Sequence, residues 1–403
     1  MEMWIFKEKF VCLKTYFAVL SVKIIFFKNF MAGIYIHIPF CATKCIYCDF
    51  FSVGSTPEKR AAYVSAVERE YAFRKQELGE DPIRTLYIGG GTPSLLSVGE
   101  LSRLLSLPAL ADGAEVTVEM NPDDVTSDYV AGLVNAGVNR VSMGVQSFND
   151  EELRFIRRRH DAAQAHRAVD VLHHAGIENI SIDLIYGIPG QTLESWKKSL
   201  HEAVALGLPH LSAYSLTYEE GTRLTRMRNR GEFREVDENL SVAMFDMLAA
   251  TLDSAGYEQY EISNFAKPGM RSRHNSAYWN FTPYLGLGAA AHSFDGSARR
   301  YNPSDLRSYM DKVSATGIAY EKESESPSEL YNEYVMTRLR TREGVDLDQL
   351  EARFGKQCRQ YASQVIDRYI ADGSLVRENS SVHLTRHGVM LSDMIFRDLF
   401  IVE

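Results

Sequence analysis

The chain has 403 residues, of which 45% are hydrophobic and 24% are charged, and its formal net charge is −9. This balance excludes collagenous, disordered and membrane-bundle classes, because enough apolar surface is present to offset the entropy of ordering a core. The acidic excess disfavours nucleic acid as a partner, since phosphate binding needs clustered Lys and Arg.

The first 30 residues differ from the rest of the chain. They are apolar and aromatic, but lysines divide them into runs shorter than the ~20 residues that a membrane-spanning helix needs. A signal peptide is the weaker alternative, because no small-residue cleavage site follows. We expect residues 1–30 to be an atypical N-terminal extension that results from the choice of start site.

From Gly33 to about residue 220, short β-rich runs alternate with loops and helical stretches. The predicted strands are residues 34–38, 85–88, 115–119, 140–145, 179–184 and 211–216. Helical patterns separate them, for example over residues 57–76 and 195–206. This alternation predicts an α/β fold with parallel strands, in which functional residues lie at the carboxyl ends of the strands.

The β/α rhythm weakens after this region. We expect residues 31–220 to form the barrel and residues 221–325 to complete it. Residues 321–329 are acidic, Ser-rich and contain Pro327, which is typical of a linker. Residues 329–403 predict helices and a hairpin at 375–384, hence a small winged-helix-like α domain for which DNA binding is disfavoured by its acidic balance.

Three of the five cysteines lie within eight residues, directly after the first predicted strand. Cys41, Cys45 and Cys48 can hold a 4Fe-4S cluster and leave one iron open to another ligand. Structural zinc is the alternative, but no fourth Cys or His follows at the usual spacing. The odd cysteine count disfavours a disulfide framework and indicates a cytoplasmic protein, with Cys358 as a small apolar residue.

The spacing Cys41-Ala-Thr-Lys-Cys45-Ile-Tyr-Cys48 after Tyr35-Ile-His-Ile-Pro-Phe resembles the radical SAM superfamily. Within it, the sequence resembles the branch that contains the coproporphyrinogen III oxidase HemN and the haem chaperone HemW, and it is closest to HemW. The resemblance extends from about Gly33 to the C-terminus. It implies a partial (β/α)6 radical SAM barrel, in which S-adenosylmethionine chelates the open iron and electron transfer yields a 5'-deoxyadenosyl radical.

The resemblance also implies a set of S-adenosylmethionine contacts. Gly90, Gly91 and Thr92 belong to a GGGTP motif that faces the methionine end, although a tight turn is the alternative. Polar residues at strand ends, a cationic residue for the methionine carboxylate, and aromatic residues beside the cluster match further family positions: Glu119, Gln146, Asp183, Arg158, Tyr35 and Tyr47. Their alternatives are buried structural polar groups, a solvated helix face for Arg158, and core positions for the tyrosines.

Two features distinguish the branches. HemN carries a further cysteine two residues after its third cluster ligand, where this chain has Phe50. Conversely, His274-Asn275-Ser276-Ala277-Tyr278-Trp279 resembles the HNxxYW motif that is associated with haem binding in the chaperone branch. His274 is then the predicted axial ligand, with Asn275, Tyr278 and Trp279 around the macrocycle.

Other histidines remain open. A structural, hydrogen-bonded role is the alternative for His274. His292 is a second candidate near the open end of the barrel, with a structural role as its alternative, and His37 in the first strand is expected to serve the core.

The leading hypothesis is a haem chaperone that binds the cluster, S-adenosylmethionine and haem, and delivers haem to acceptor haemoproteins such as membrane respiratory enzymes. No catalytic residue is assigned, and membrane association and homo-oligomerisation are left open. The rival hypothesis is oxygen-independent coproporphyrinogen III oxidation. Another radical SAM activity, such as methylation, is the third.

Overall fold

The computed structural model describes residues 33–79, 82–323 and 325–402, and the predicted extension at residues 1–30 lies outside them. The described residues form two compact units. One comprises residues 33–278 and 282–322, and the other comprises residues 279–281 and 323–402. The predicted barrel and barrel-completing regions therefore lie largely in the first unit.

Six parallel strands form the centre of the first unit and pair in chain order. They are β1 (Gly33–Ile38), β2 (Ile83–Gly90), β3 (Leu110–Met120), β4 (Arg140–Gln146), β5 (Asn179–Tyr186) and β6 (His210–Ser215). The helices between them are α1 (Pro57–Arg74), α2 (Val98–Leu105), α3 (Ser127–Asn135), α4 (Asp150–Phe155), α5 (Ala162–His174) and α6 (Leu193–Ala205). All six predicted strands are confirmed, and β2 and β3 are longer than predicted.

The helices begin where the sequence supplies side-chain caps. Thr56 Oγ1 accepts a hydrogen bond from Lys59 N, and Pro57 occupies the first turn, where a missing N–H costs nothing. Ser97 and Glu100 form a reciprocal capping box at the start of α2. These local signals are why the predicted helix at 57–76 is found, although it ends as α-helix at Arg74 and continues as a 3-10 turn.

Short strands extend the sheet at both edges. Beside β1 lie β9 (Tyr284–Leu287), β10 (His292–Phe294), β11 (Arg299–Tyr301) and β12 (Glu321–Lys322), and beside β6 lie β8 (Asn264–Ala266) and β7 (Glu258–Gln259). Strand β9 is parallel to β1, whereas the outer strands pair antiparallel. The remaining helices of this region are α7 (Arg223–Asn229), α8 (Glu238–Ser254), α9 (Arg273–Trp279) and α10 (Leu306–Thr316).

The two faces of the central strands differ in chemistry, because successive side chains point to opposite sides. One face is apolar and buried, and includes Ile34, Ile36, Ile38, Leu86, Ile88, Val116, Val118, Val141 and Met143. The other, inner face is polar, and includes Tyr35, His37, Thr85, Tyr87, Thr117, Glu119, Arg140, Ser142, Ser181, Asp183, His210 and Ser212. Closed parallel barrels usually fill this side with branched aliphatic layers. A polar inner face indicates a space organised around polar ligand groups or water.

The second unit contains α11 (Pro327–Leu339), α12 (Leu347–Phe354), α13 (Lys356–Ala371), α14 (Arg386–Met390) and α15 (Ser392–Leu399). Its three-stranded sheet consists of β13 (Val345–Asp346), β14 (Leu375–Glu378) and β15 (Ser381–Leu384). The hairpin turn uses Asn379 at a φ of 57°, a left-handed conformation that asparagine tolerates. The predicted hairpin is therefore confirmed.

Within the described ranges, no helix combines the length and apolarity needed to cross a membrane.

Candidate functional site

The loop that carries the three cysteines follows β1 and is closed by backbone pairing. Cys41 N donates to the Val53 carbonyl oxygen at 3.1 Å, and Val53 N donates to the Pro39 carbonyl oxygen at 2.7 Å. All three thiols are half-buried, and none forms a disulfide. The loop therefore starts and ends at one fixed point on the sheet edge and presents its thiols between those ends.

Ile46 anchors the loop from within. It is 2% exposed and packs in an apolar cluster with Ile156, Ile185, Ile188, Leu216 and Leu224. Its carbonyl oxygen also accepts a hydrogen bond from Leu224 N at 2.8 Å. Ile46, which follows the second cysteine, is thus held by residues at the ends of α4, β5 and β6 and by α7, which fixes the thiols on either side.

The thiols lie beside hydrogen-bond donors. Thr92 Oγ1 is 3.5 Å from Cys41 Sγ, and Arg158 Nη1 is 3.4 Å from Cys45 Sγ. Burial raises the pKa of the Cys48 thiol to about 12, so cationic or metal neighbours are needed to form its thiolate. In the described part of the chain, no three His, Cys, Asp or Glu side chains converge on a point that could hold a single metal ion.

The glycine loop after β2 approaches the cysteine loop closely. Gly91 N donates to the Ile38 carbonyl oxygen at 2.8 Å, and a Cβ at Gly91 would lie 2.7 Å from the Phe40 carbonyl oxygen and 3.1 Å from Cys41 Sγ. Gly90 has a φ of 112°, which side chains rarely adopt, and a Cβ there would meet the His37 ring. The two glycines create a cradle beside Cys41 that any side chain would fill.

Glu119 lies next to this cradle and is held in place by two donors. Tyr87 OH donates to Glu119 Oε1 at 2.7 Å, and Gly90 N donates to Glu119 Oε2 at 2.9 Å. A carboxylate fixed in this way keeps further lone pairs for the hydroxyl or amino group of a ligand. Tyr87 was not predicted from the sequence; its only signal is its position on the polar face of β2, two residues before Gly89.

Arg158 lies between the cysteine loop and the end of β4. Its Nη2 donates to Asn121 Oδ1 and to the Gly144 carbonyl oxygen, and Asn121 Nδ2 in turn donates to Thr92 Oγ1 at 3.4 Å. Arg158 Nε is buried and has no hydrogen-bond partner among the described residues. One donor of a buried cation is thus left for an anionic group of a ligand. Asn121, which bridges two predicted contacts, was missed in the sequence.

Gln146 and Asp183 complete the polar edge. Gln146 is buried with a φ of 71°, at an irregularity in the pairing of β4 with β5 that re-aims its side chain. Asp183 pairs in register with Gly144 on one side and Ser212 on the other. Burial, and then the nearby Glu119 carboxylate, raise the pKa of Asp183 to about 6.

The two predicted aromatic contacts occupy different places. Tyr47 packs against the apolar cluster that holds Ile46, directly beside Cys48 in the chain. Tyr35 lies on the inner face of β1, and its hydroxyl is 2.9 Å from His37 Nδ1. His37 is 2% exposed and its Nε2 reaches the Phe51 carbonyl oxygen at 3.4 Å, so it links β1 to the end of the cysteine loop.

His274 lies at the opposite end of the strands from the cysteines. Its Nδ1 is 2.8 Å from Thr85 Oγ1 and its Nε2 is 2.9 Å from Tyr278 OH, and the residue is 2% exposed. Its ring stacks on Tyr87 at a centroid distance of 5.1 Å. Burial lowers the pKa of His274 to about 3, so the imidazole is neutral. Both ring nitrogens are engaged, and ligation of haem iron by His274 stays a prediction that requires one of these bonds to break.

The backbone of α9 is also fixed at this end. His274 N donates to Glu115 Oε1 at 3.0 Å and Arg273 N donates to Glu115 Oε2 at 3.1 Å, so one carboxylate of β3 caps the start of the helix. Tyr278 packs edge-on against Tyr284 at 4.6 Å.

The four residues of the HNxxYW motif all lie on α9. Asn275 is half-buried beside His274, and Trp279, the last residue of the helix, is buried and is assigned to the second unit. In that unit the Arg340 guanidinium lies over the Trp279 ring at 5.2 Å.

His292 lies on β10, half-buried, and packs against the Tyr301 ring at a centroid distance of 6.1 Å. Burial, followed by the nearby Arg299 charge, lowers the pKa of His292 to about 4. Its side chain makes no hydrogen bond to any residue in the described ranges, in contrast to His274.

Family models match two parts of the chain: the radical SAM superfamily over residues 35–203 and the HemN C-terminal domain over residues 326–391. A heme chaperone HemW from Bacillus subtilis is 34% identical over 91% of this chain and 98% of its own length. A heme chaperone HemW from Lactococcus lactis is 36% identical over 90% of this chain and 95% of its own length.

Among solved structures, coproporphyrinogen III oxidase (HemN) from Escherichia coli superimposes with a TM-score of 0.80 over 93% of this chain and 91% of its own chain, at 24% sequence identity. At this identity the match shows the fold alone. It confirms the predicted partial radical SAM barrel with a C-terminal helical domain.

Proposed function

Because the chain belongs to the radical SAM superfamily and, within it, to the HemW family, we propose that it is a haem chaperone that holds a 4Fe-4S cluster and S-adenosylmethionine. The observation that carries the proposal is similarity to haem chaperones over at least 90% of this chain and at least 95% of each relative. Phe50, at the position where the oxidase branch has a further cysteine, supports a carrier over a decarboxylase.

The residues at the carboxyl ends of the central strands fit the two cofactors. Cys41, Cys45 and Cys48 supply three thiolates for the cluster, which leaves one iron for another ligand. When bound, S-adenosylmethionine on the cluster supplies one-electron redox chemistry. The cradle beside Cys41, formed at Gly90 and Gly91, gives a ligand room to approach the cysteine loop.

The polar groups would orient S-adenosylmethionine. Gly90, Gly91 and Thr92 would face its methionine end, and the unpaired Nε of Arg158 would donate to its carboxylate. Glu119, Gln146 and Asp183 would accept from or donate to its amino group and ribose hydroxyls. Tyr35 and Tyr47 would limit the access of water to the cluster. These roles rest on the family motif and on the placement of the side chains at or beside the carboxyl ends of the strands.

Haem is the cargo in this proposal, and the recipients are haem-requiring proteins, with membrane respiratory enzymes as one class. Burial keeps the imidazoles of His274 and His292 neutral, the state in which an imidazole binds iron. Which of the two ligates haem is a separate question from whether the chain carries haem.

The test is anaerobic reconstitution followed by parallel haem-binding and decarboxylation assays on one preparation. We expect stoichiometric haem binding in a spectral titration, transfer of that haem to apomyoglobin as an acceptor probe, and no turnover of coproporphyrinogen III. The Cys41→Ala/Cys45→Ala/Cys48→Ala variant serves as the cluster-free control. Formation of protoporphyrinogen IX over many turnovers would instead establish the oxidase function, and transfer of substrate atoms without decarboxylation would indicate another radical SAM activity.

A further inference from the structure

A haem carrier needs three things from its side chains. An imidazole with a free nitrogen can ligate the iron, an aromatic ring can pack on the flat macrocycle, and a guanidinium can pair with the propionates. These groups must line one space that admits the planar porphyrin, and the two strands of one hairpin can supply all of them.

His274 meets the first requirement poorly. Its nitrogens are bonded to Thr85 and Tyr278, and iron ligation would release a buried hydroxyl that then lacks its partner. Leaving a buried polar group unsatisfied costs ~1–3 kcal/mol. A Cβ on Gly33, the first residue of β1, would lie 3.2 Å from His274 Nδ1, so the ring is at the amino end of the barrel, away from the cysteines.

The hairpin of β10 and β11 presents a different set of groups. His292 pairs with Tyr301 and Phe294 pairs with Arg299 in the antiparallel register, so these four side chains share one face. The Arg299 guanidinium lies over the Phe294 ring at 5.2 Å, and its Nη1 is 3.3 Å from Tyr284 OH. One face thus combines an imidazole, two aromatic rings and a cation.

The residues between them point the other way. Ser293 Oγ accepts from Arg74 Nη2 at 3.1 Å, and Arg300 Nη1 donates to Glu77 Oε2 at 2.6 Å, which ties the opposite face of the hairpin to α1 and the turn after it. Contacts with α1 therefore fix one face of the hairpin. The other face, which carries His292, lies on the same side of the sheet as Tyr284, because Phe294 pairs with Tyr284. Because Tyr284 pairs with Gly33, that side is continuous with the inner face of the barrel.

We propose that His292, rather than His274, is the axial ligand of the haem iron and that Arg299 pairs with a haem propionate. Diagonal neighbours on such a hairpin are ~7–8 Å apart, a separation that lets one side chain reach the central iron and the other reach the edge of the porphyrin. Tyr301 packs beside the imidazole at a centroid distance of 6.1 Å, and its hydroxyl donates to Glu321 Oε2 at 3.3 Å. The assignment rests on the proposed haem-carrier function and specifies its site.

The experiment is a titration with ferric haem of the full chain carrying its reconstituted cluster, so that the cluster cysteines are occupied and cannot ligate haem. Absorption and electron paramagnetic resonance spectra report affinity and ligand type separately. The variants are His292→Ala, His292→Met, Arg299→Ala and His274→Ala. His201→Ala, an exposed histidine on α6, is the matched control.

His292→Ala is expected to lose at least tenfold in affinity together with the imidazole signature. His292→Met is expected to retain binding with a thioether signature, which a merely structural role would not produce. Arg299→Ala is expected to weaken binding severalfold with an unchanged ligand signature, and His274→Ala to keep that signature.

A wild-type spectrum in His292→Met, or loss of the imidazole signature in a folded His274→Ala variant, would overturn the assignment. If the wild-type protein binds no haem, the carrier function fails and this site with it, whereas unchanged binding in both His292 variants refutes the site alone. The methionine variant preserves side-chain volume approximately, so it keeps the test decisive even if His292→Ala does not fold.

Discussion

Replacing Gly91 with alanine tests how closely the glycine loop must approach the cysteine loop. The added Cβ would lie 2.7 Å from the Phe40 carbonyl oxygen, 3.0 Å from the Ile38 carbonyl oxygen and 3.1 Å from Cys41 Sγ. Two of these atoms belong to the backbone and cannot rotate away as the end of a side chain can. Relieving the clash also strains the hydrogen bond from Gly91 N to Ile38.

Overpacking of this kind costs ~1–3 kcal/mol. Because the strain falls on the first residues of the cysteine loop, we expect it to appear as weaker cluster retention rather than as global unfolding. A free-energy difference of ~1.4 kcal/mol is a factor of ten, so retention should weaken by about 5-fold to about 150-fold. Binding of S-adenosylmethionine should weaken as well, since the same Cβ fills the cradle beside Cys41.

The assay is anaerobic reconstitution, followed by measurement of iron and sulfide per chain as an iron chelator is titrated. Gly99→Ala is the matched control: it lies in α2, a Cβ there meets nothing within 4 Å, and alanine favours a helix by up to ~1 kcal/mol. Wild-type retention of the cluster and of S-adenosylmethionine in Gly91→Ala would refute the close-approach argument. Equal loss in Gly99→Ala would show that the effect is not local.

Four further predictions concern single residues. Ile46→Ala should lower the free energy of unfolding by ~2–4 kcal/mol in a denaturant titration, because it empties the anchor of the cysteine loop; an unchanged midpoint would contradict this. Tyr87→Phe removes one of the two donors to Glu119 and should weaken S-adenosylmethionine binding severalfold in calorimetry with less than ~1.5 kcal/mol lost in stability; equal affinity would exclude the positioning role. The folded protein holds the Asp183 proton more tightly than the unfolded chain, whose aspartate pKa is ~3.9, so stability should fall as pH rises from about 4 to about 6. Asp183→Asn should flatten that slope, and an identical pH profile would refute the assignment. His274→Ala should destabilise the fold by ~2–4 kcal/mol in the same titration, because two buried hydrogen bonds and a stacked ring are lost, and an unchanged midpoint would contradict a structural role.

The parts of the site that lie in continuous segments could be predicted from the sequence. The cysteine loop, the glycine loop and Glu119 each follow a strand whose apolar run is evident, and parallel strands bring their carboxyl ends to one edge. The structure places Thr92 and Arg158 within 3.5 Å of two of the thiols, as such an edge requires. Roles that need only a strand end and a side-chain type are therefore accessible to sequence reasoning.

Roles that depend on contacts between distant segments were not accessible. Tyr87 reads as an ordinary strand residue, and only the register of β2 against β3 aligns its hydroxyl with Glu119. From the sequence alone, Asn121 is an ordinary turn residue before Pro122, and only the fold brings Arg158, 37 positions later, to its side chain. The edge strands β7 and β12 have two residues each, too few for any periodicity, so the extent of the sheet could not be predicted after residue 220.

In the HNxxYW segment, both the backbone and the ring of His274 are fixed by neighbouring strands. Glu115 caps the backbone of α9, Thr85 and Tyr278 bond the His274 ring, and Tyr87 connects that ring to Glu119 by stacking and a hydrogen bond. The same residues thus link the amino end of the barrel to the Glu119 carboxylate, which lies beside the cysteine loop. A change at His274 would disturb Glu119 through Tyr87, and a loss of cofactor or haem binding in such a variant would not by itself identify an iron ligand. The spectrum identifies the side chain that ligates the iron. Comparing it between variants of His274 and His292 therefore distinguishes a structural role from ligation of the haem iron.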